Sequence, residues 1–125
     1  MTTGKPNLLT GRAGPEEDKI GTVRIAPQVL ATIAALTAQN VAGVVRLQGK
    51  LAGKVGDLFR RGHAFNGVTI ELVGDEVSVE LHLIVSPEVS MFQLGRQVQD
   101  EVAEAIETMV GMRVHTVDVY IEDVG

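Results

Sequence analysis

The chain has 125 residues, 45% apolar and 22% charged, with a formal net charge of −5. That length suits one domain with one real core, and aromatics at 3% make that core aliphatic. The absence of cysteine excludes a disulfide framework and thiolate chemistry and fits a reducing cytoplasm, while the acidic balance argues against binding nucleic acid by bulk attraction.

Residues 1–19 hold three glycines and two prolines without periodicity and are expected to form a disordered tail. The folded domain is expected over residues 20–125. Gly21 to Ile25 reads as a short strand, with Val23 and Ile25 on one face. Pro27 suits the first turn of a helix, where its missing N–H costs nothing. Val29, Ile33, Leu36 and Thr37 then recur at helical spacing with alanines between them, and the helix fades near Asn40. Its face carries few charges. Val44 to Leu47 reads as another short strand.

Gln48 to Asn66 is irregular and glycine-rich, and counting from Arg46 it holds five of the eleven basic residues in sixteen positions. Leu51, Val55, Leu58 and Phe59 have helical spacing, but each interior glycine costs a helix roughly 1 kcal/mol. From Gly67 the period becomes two. Val68, Ile70 and Leu72 face one way, and Thr69 and Glu71 the other. Gly74-Asp75 reads as a two-residue hairpin loop of type II′, which opposes Leu72 to Val77, Ile70 to Val79 and Val68 to Leu81.

After a strand from Val77 to Val85, closed by Pro87, comes the long helix Met91 to Val110. Its apolar stripe is Met91, Leu94, Val98, Val102, Ala105, Ile106 and Met109. Ser90 with Gln93 has capping-box form, and Gly111 suits the left-handed stop. Arg96, Asp100, Glu101, Glu104 and Glu107 fall on the face left to water. A last strand runs from Val114 to Ile121, and strand, helix and strand make a right-handed crossover with the flanking strands parallel. The expected fold is α+β: one small mixed sheet with two main helices on one face, in the order β-α-β-β-β-α-β.

No constellation able to carry chemistry emerges. His63, His82 and His115 form no H-x-x-x-H pair and read as surface or edge histidines, with no cysteine to complete a zinc site. The carboxylates of the long helix are spread along a solvated face rather than paired in different environments. Ser78, Ser86 and Ser90 lack a nucleophile elbow. Gly49 to Val55 falls one residue short of a phosphate loop and puts Val55 where a hydroxyl is needed. Gly53-Lys-Val-Gly56 matches the G-x-x-G loop by which KH domains clamp a nucleic-acid backbone. That makes a KH-like nucleic-acid binder the rival reading, weakened by an acidic chain nearly devoid of aromatics.

From Gly21 to Val124, about five-sixths of the chain, the sequence resembles the alkaline-shock-protein family of bacterial envelope stress-response proteins. The residues that carry the resemblance are Gly21 to Leu30, Val41 to Val44, Gly67 to Glu71, Glu76 to Leu81, Val98 to Met112 and Val117 to Asp123. At Ser86-Pro87-Glu88 the chain departs from the family's usual aromatic–glycine pair. The resemblance implies a non-enzymatic, stress-associated, cytoplasmic protein of Gram-positive-type bacteria that self-associates. Some relatives are held at the membrane by a small anchoring partner, and others are linked with control of fatty-acid synthesis through acetyl-CoA carboxylase. No catalytic residue, metal or cofactor comes with it.

The expectation is therefore a scaffold or adaptor of the cell envelope, cytoplasmic or peripheral to the membrane through a partner. It would act through protein contacts and homo-oligomer formation, with nucleic acid not expected. The residues expected to meet partners are the basic Lys50, Lys54, Arg60 and Arg61 and the acidic Asp100, Glu101, Glu104 and Glu107.

Overall fold

A computed structural model of the chain describes residues 20–49 and 63–125. Its elements are α1 (Pro27–Gln39), β1 (Val44–Leu47), β2 (His63–Phe65), β3 (Val68–Val73), β4 (Glu76–Val85), α2 (Met91–Val110) and β5 (Arg113–Val124). The fold is α+β, with both helices packed against one face of a mixed five-stranded sheet.

β4 is the strand around which the sheet is laid. Along one edge it pairs in parallel with β5, from Glu76 opposite Arg113 to Val85 opposite Val124. Its other edge is shared by two antiparallel neighbours. β3 takes Glu76 to Leu81, and β1 takes Leu83 to Val85. The change of partner falls at His82, whose N–H donates to Gly67 at 3.0 Å and whose carbonyl accepts from Gln48 at 2.8 Å. The hairpin register expected on the apolar face holds: Leu72 opposes Val77, Ile70 opposes Val79 and Val68 opposes Leu81. Gly74 supplies the positive φ, +64°, that a II′ turn needs at its first central position.

Alternation along β4 sends Val77, Val79, Leu81, Leu83 and Val85 into the core, where they meet Leu94, Val98, Val102 and Ile106 of α2. These four residues at i, i+4 spacing are the helix's buried stripe. Met91 and Met109, expected to extend it, sit at the ends of the helix and are exposed, Met109 by 69%. Gly111 closes the helix at φ +83°, with its N–H on Glu107. Ser90 occupies the N-cap but its hydroxyl makes no capping bond, so the expected capping box does not form.

Three expectations fail for physical reasons. Gly21 to Ile25 is not a strand: Val23 is 89% exposed, and two apolar side chains bury too little to hold a strand at an edge. Among the described elements the order therefore begins with α1. The irregular stretch ends at His63 rather than Asn66, because His63–Phe65 pairs with β3 through a turn at Asn66-Gly67, both with positive φ. A Cβ on Gly67 would lie 2.7 Å from the Gln48 carbonyl oxygen, so the close passage of β1 past this turn demands glycine. Finally, α1 is rotated from its expected face. It buries Leu30, Ala31, Ala34 and Ala38, leaving Val29 half out and Leu36 58% exposed. Alanines let the helix axis approach α2 and the sheet closely, and that packing outweighs the larger side chains on the opposite face.

Ile106 is fully buried and Glu104 lies on the exposed face. Replacing Ile106 by alanine should cost about 2–5 kcal/mol through lost contact and a cavity. Glu104→Ala should change stability by less than about 0.5 kcal/mol. Chemical denaturation of both variants checks the assignment of the helix faces, and equal effects would refute it.

Candidate functional site

The face of the sheet turned away from the helices carries the polar half of β4's alternation, Glu76, Ser78, Glu80 and His82. His82 is 7% exposed, on the central strand. This corrects its reading as a surface or edge histidine. Its Nδ1 lies 2.5 Å from a Glu122 carboxylate oxygen and its Nε2 lies 2.7 Å from one of Glu80. The ring stacks on Tyr120 with centroids 4.9 Å apart and planes 14° from parallel.

Both nitrogens of the ring are thus engaged by carboxylates. Its geometry is that of a clasp between β4 and β5. Two residues apart on one strand, Glu80 and His82 share a face. Glu122 and Tyr120 arrive beside them only through the parallel register, in which His82 opposes Tyr120. Thr69, opposite Glu80, is buried, and its Oγ1 finds no hydrogen-bond partner among the described residues. Farther along β4, Glu76 lies 3.3 Å from His115 and 3.6 Å from Arg113, exposed contacts worth little to stability.

Of the residues expected to meet partners, α2 brings Asp100, Glu104 and Glu107 into one exposed line at i, i+4 and i+7. Glu101 is half-buried beside that line and accepts a hydrogen bond from Gln97 at 2.9 Å. Lys50, Lys54, Arg60 and Arg61, like the G-x-x-G loop at Gly53 to Gly56, lie outside the described residues. Two side chains of α2 also reach the backbone of β5. The Glu107 carboxylate accepts from the Val114 N–H at 3.2 Å, and the Gln99 amide donates to the Val117 carbonyl at 2.9 Å. Among the described residues no three His, Asp or Glu side chains gather as metal ligands do, and no helix is long and apolar enough to cross a membrane.

His82→Ala should destabilise the fold by about 1–3 kcal/mol, because it removes two charge-assisted contacts and leaves Glu80 and Glu122 facing each other unbridged. Thermal or denaturant unfolding checks this, and an unchanged midpoint would refute the clasp.

Comparison with known proteins adds the lineage. Residues 15–125 match the model of the alkaline-shock-protein family, described as having a cell envelope-related function. Protein YqhY of Bacillus subtilis (strain 168) is 26% identical over 106 residues, spanning 85% of this chain and 78% of that protein. YloU of the same organism is 25% identical over 108 residues, spanning 85% of this chain and 90% of that protein. Among solved structures, a variant of the MamM CTD superposes with a TM-score of 0.49 at 16% identity, covering 78% of this chain and 98% of that one.

Proposed function

The chain belongs to the alkaline-shock-protein family, whose function is related to the cell envelope, and from that premise we propose that it is a non-enzymatic, stress-associated scaffold or adaptor. It works by self-association and by contacts with other proteins, at the cytoplasmic side of the envelope. Its link to the membrane is through a partner. The observation that carries this reading is how the charged side chains are spent. The buried His82 is held on both nitrogens by carboxylates, while Asp100, Glu104 and Glu107 stand exposed in a line on the long helix.

A line of carboxylates on a rigid helix suits a basic partner segment. The chain itself supplies one in Lys50, Lys54, Arg60 and Arg61. The basic segment of one copy docking on the acidic helix of the next would join copies without a large apolar patch, and salt would weaken the contact.

The test changes Lys50, Lys54, Arg60 and Arg61 together to Gln. Assembly size is then followed by light scattering, and RNA and single-stranded DNA binding by anisotropy, across a salt series. The expected result is smaller assemblies in the mutant at unchanged stability, with no nucleic-acid binding below about 100 μM at physiological salt, where non-specific binders already associate. Tight nucleic-acid binding by the native chain, lost in the mutant, would replace the scaffold reading with the KH-like one.

A further inference from the structure

β5 is twelve residues long and has a ladder on one edge, to β4. Among the described residues, the other strands with an edge left unpaired, β1 and β2, have four and three residues. A long strand edge with unpaired backbone groups is a template for another strand. Which groups are open follows from His82. Its N–H and carbonyl both go to the β3 and β1 side, so Leu81 and Leu83 point their backbone groups at β5. In a parallel ladder those groups bond the residues on either side of the registered one, so Val119 and Ile121, in register with Leu81 and Leu83, point theirs away. The same alternation turns Val117 outward, and its carbonyl is the one that Gln99 holds. Glu107 likewise holds the Val114 N–H. Side chains of α2 thus blunt the first half of the edge. Among the described residues, no side chain holds the backbone of Val119 or Ile121.

We propose that this edge pairs antiparallel with the same edge of a second copy, centred on Val119, so that one sheet runs through two chains. The proposal rests on the self-association reading and names the surface that performs it. Charge sets the direction. β5 begins with Arg113 and His115 and ends with Glu122 and Asp123, so a parallel copy would set like against like, and an antiparallel copy sets opposites together.

Charge and the open backbone groups set the register together: centring on Val117 would put at the axis a carbonyl that Gln99 already holds, and centring on Ile121 would confine the overlap to 118–124. A twofold axis normal to the sheet keeps each face on its own side, so opposed residues must share a face. Centring on Asp118 sets that carboxylate against its own mate, and centring on Tyr120 sets Asp118 against Glu122. Centring on Val119 opposes Asp118 to Tyr120, Thr116 to Glu122 and His115 to Asp123, with Val117 against Ile121 and no like charges facing; the Val117 carbonyl, which Gln99 already holds, takes the Ile121 N–H of the second copy on its other lone pair. It also covers Tyr120, which is 47% exposed in the single chain.

The chain contains no cysteine, so a single introduced thiol reports cleanly. In Val119→Cys the new side chain opposes its own copy in a hydrogen-bonded pair at a Cα separation of about 5.5 Å, inside the range of disulfides. Mild oxidation should convert most of the protein to a covalent dimer. Thr116→Cys, about 20 Å from its mate in this register at ~3.4 Å per residue, should stay monomeric on the same gel. Tyr120→Glu, which sets two carboxylates face to face, should weaken dimerisation at least about tenfold by sedimentation with an unchanged circular-dichroism spectrum. Adding Asp118→Lys should restore the dimer. If Val119→Cys stays uncrosslinked while the protein assembles, the edge is not the interface and the scaffold reading survives. A protein monomeric throughout would overturn both.

Discussion

Pairing of β4 along both of its edges is the constraint from which the other parts follow. Parallel pairing with β5 requires a crossover, because the chain must return to the end at which it began. α2 is that crossover, and its length matches the job: twenty residues at about 1.5 Å each span about 30 Å, close to the ten residues of β4 at about 3.3 Å each. The helix must then lie on the sheet, which makes one face of β4 apolar along its whole length. On the opposite edge, two short antiparallel partners divide the strand between them, and the division at His82 leaves no gap because Gly67 and Gln48 take that residue's N–H and carbonyl in turn.

The other face of β4 follows from the same arrangement. A histidine in the middle of a central strand loses water to the strands beside it, whatever its polarity. Glu80 on its own strand and Glu122 on the neighbour replace the lost water with hydrogen bonds, and Tyr120 covers the ring. The cluster reads as an answer to burial.

How much of this the sequence disclosed depended on whether the signal was local. The span of the long helix, the Gly74-Asp75 hairpin and its register rest on periodicity and turn chemistry carried by adjacent residues, and these were readable in full. The leading strand at Gly21 to Ile25 failed because a strand exists only with a partner, and two alternating apolar residues cannot say whether one is near. β2 was missed although its signal was present: Asn66-Gly67 is a strong hairpin dipeptide, hidden by the glycine-rich stretch before it. The face of α1 was misjudged because hydrophobicity ranks Val29 and Leu36 above alanine, whereas close packing of helices rewards the smaller side chain. For the surfaces, the line of Asp100, Glu104 and Glu107 needed only helical spacing. The clasp at His82 and the open edge of β5 depend on which strands lie side by side, and that lateral order is written in no local pattern.

The two proposed contacts differ in symmetry, and the difference sets what they can build together. Edge pairing joins one surface to the same surface and is complete with two copies. A basic segment on an acidic helix joins unlike surfaces and can repeat from copy to copy. A chain that has both makes dimers that link onward into open arrays. The linkages also differ in physics. Charge contacts at the surface are screened beyond about 8 Å at physiological ionic strength, whereas a backbone ladder with Val119, Val117 and Ile121 packed along it depends little on salt. Rising salt should therefore dissolve such an array into dimers before any monomer forms.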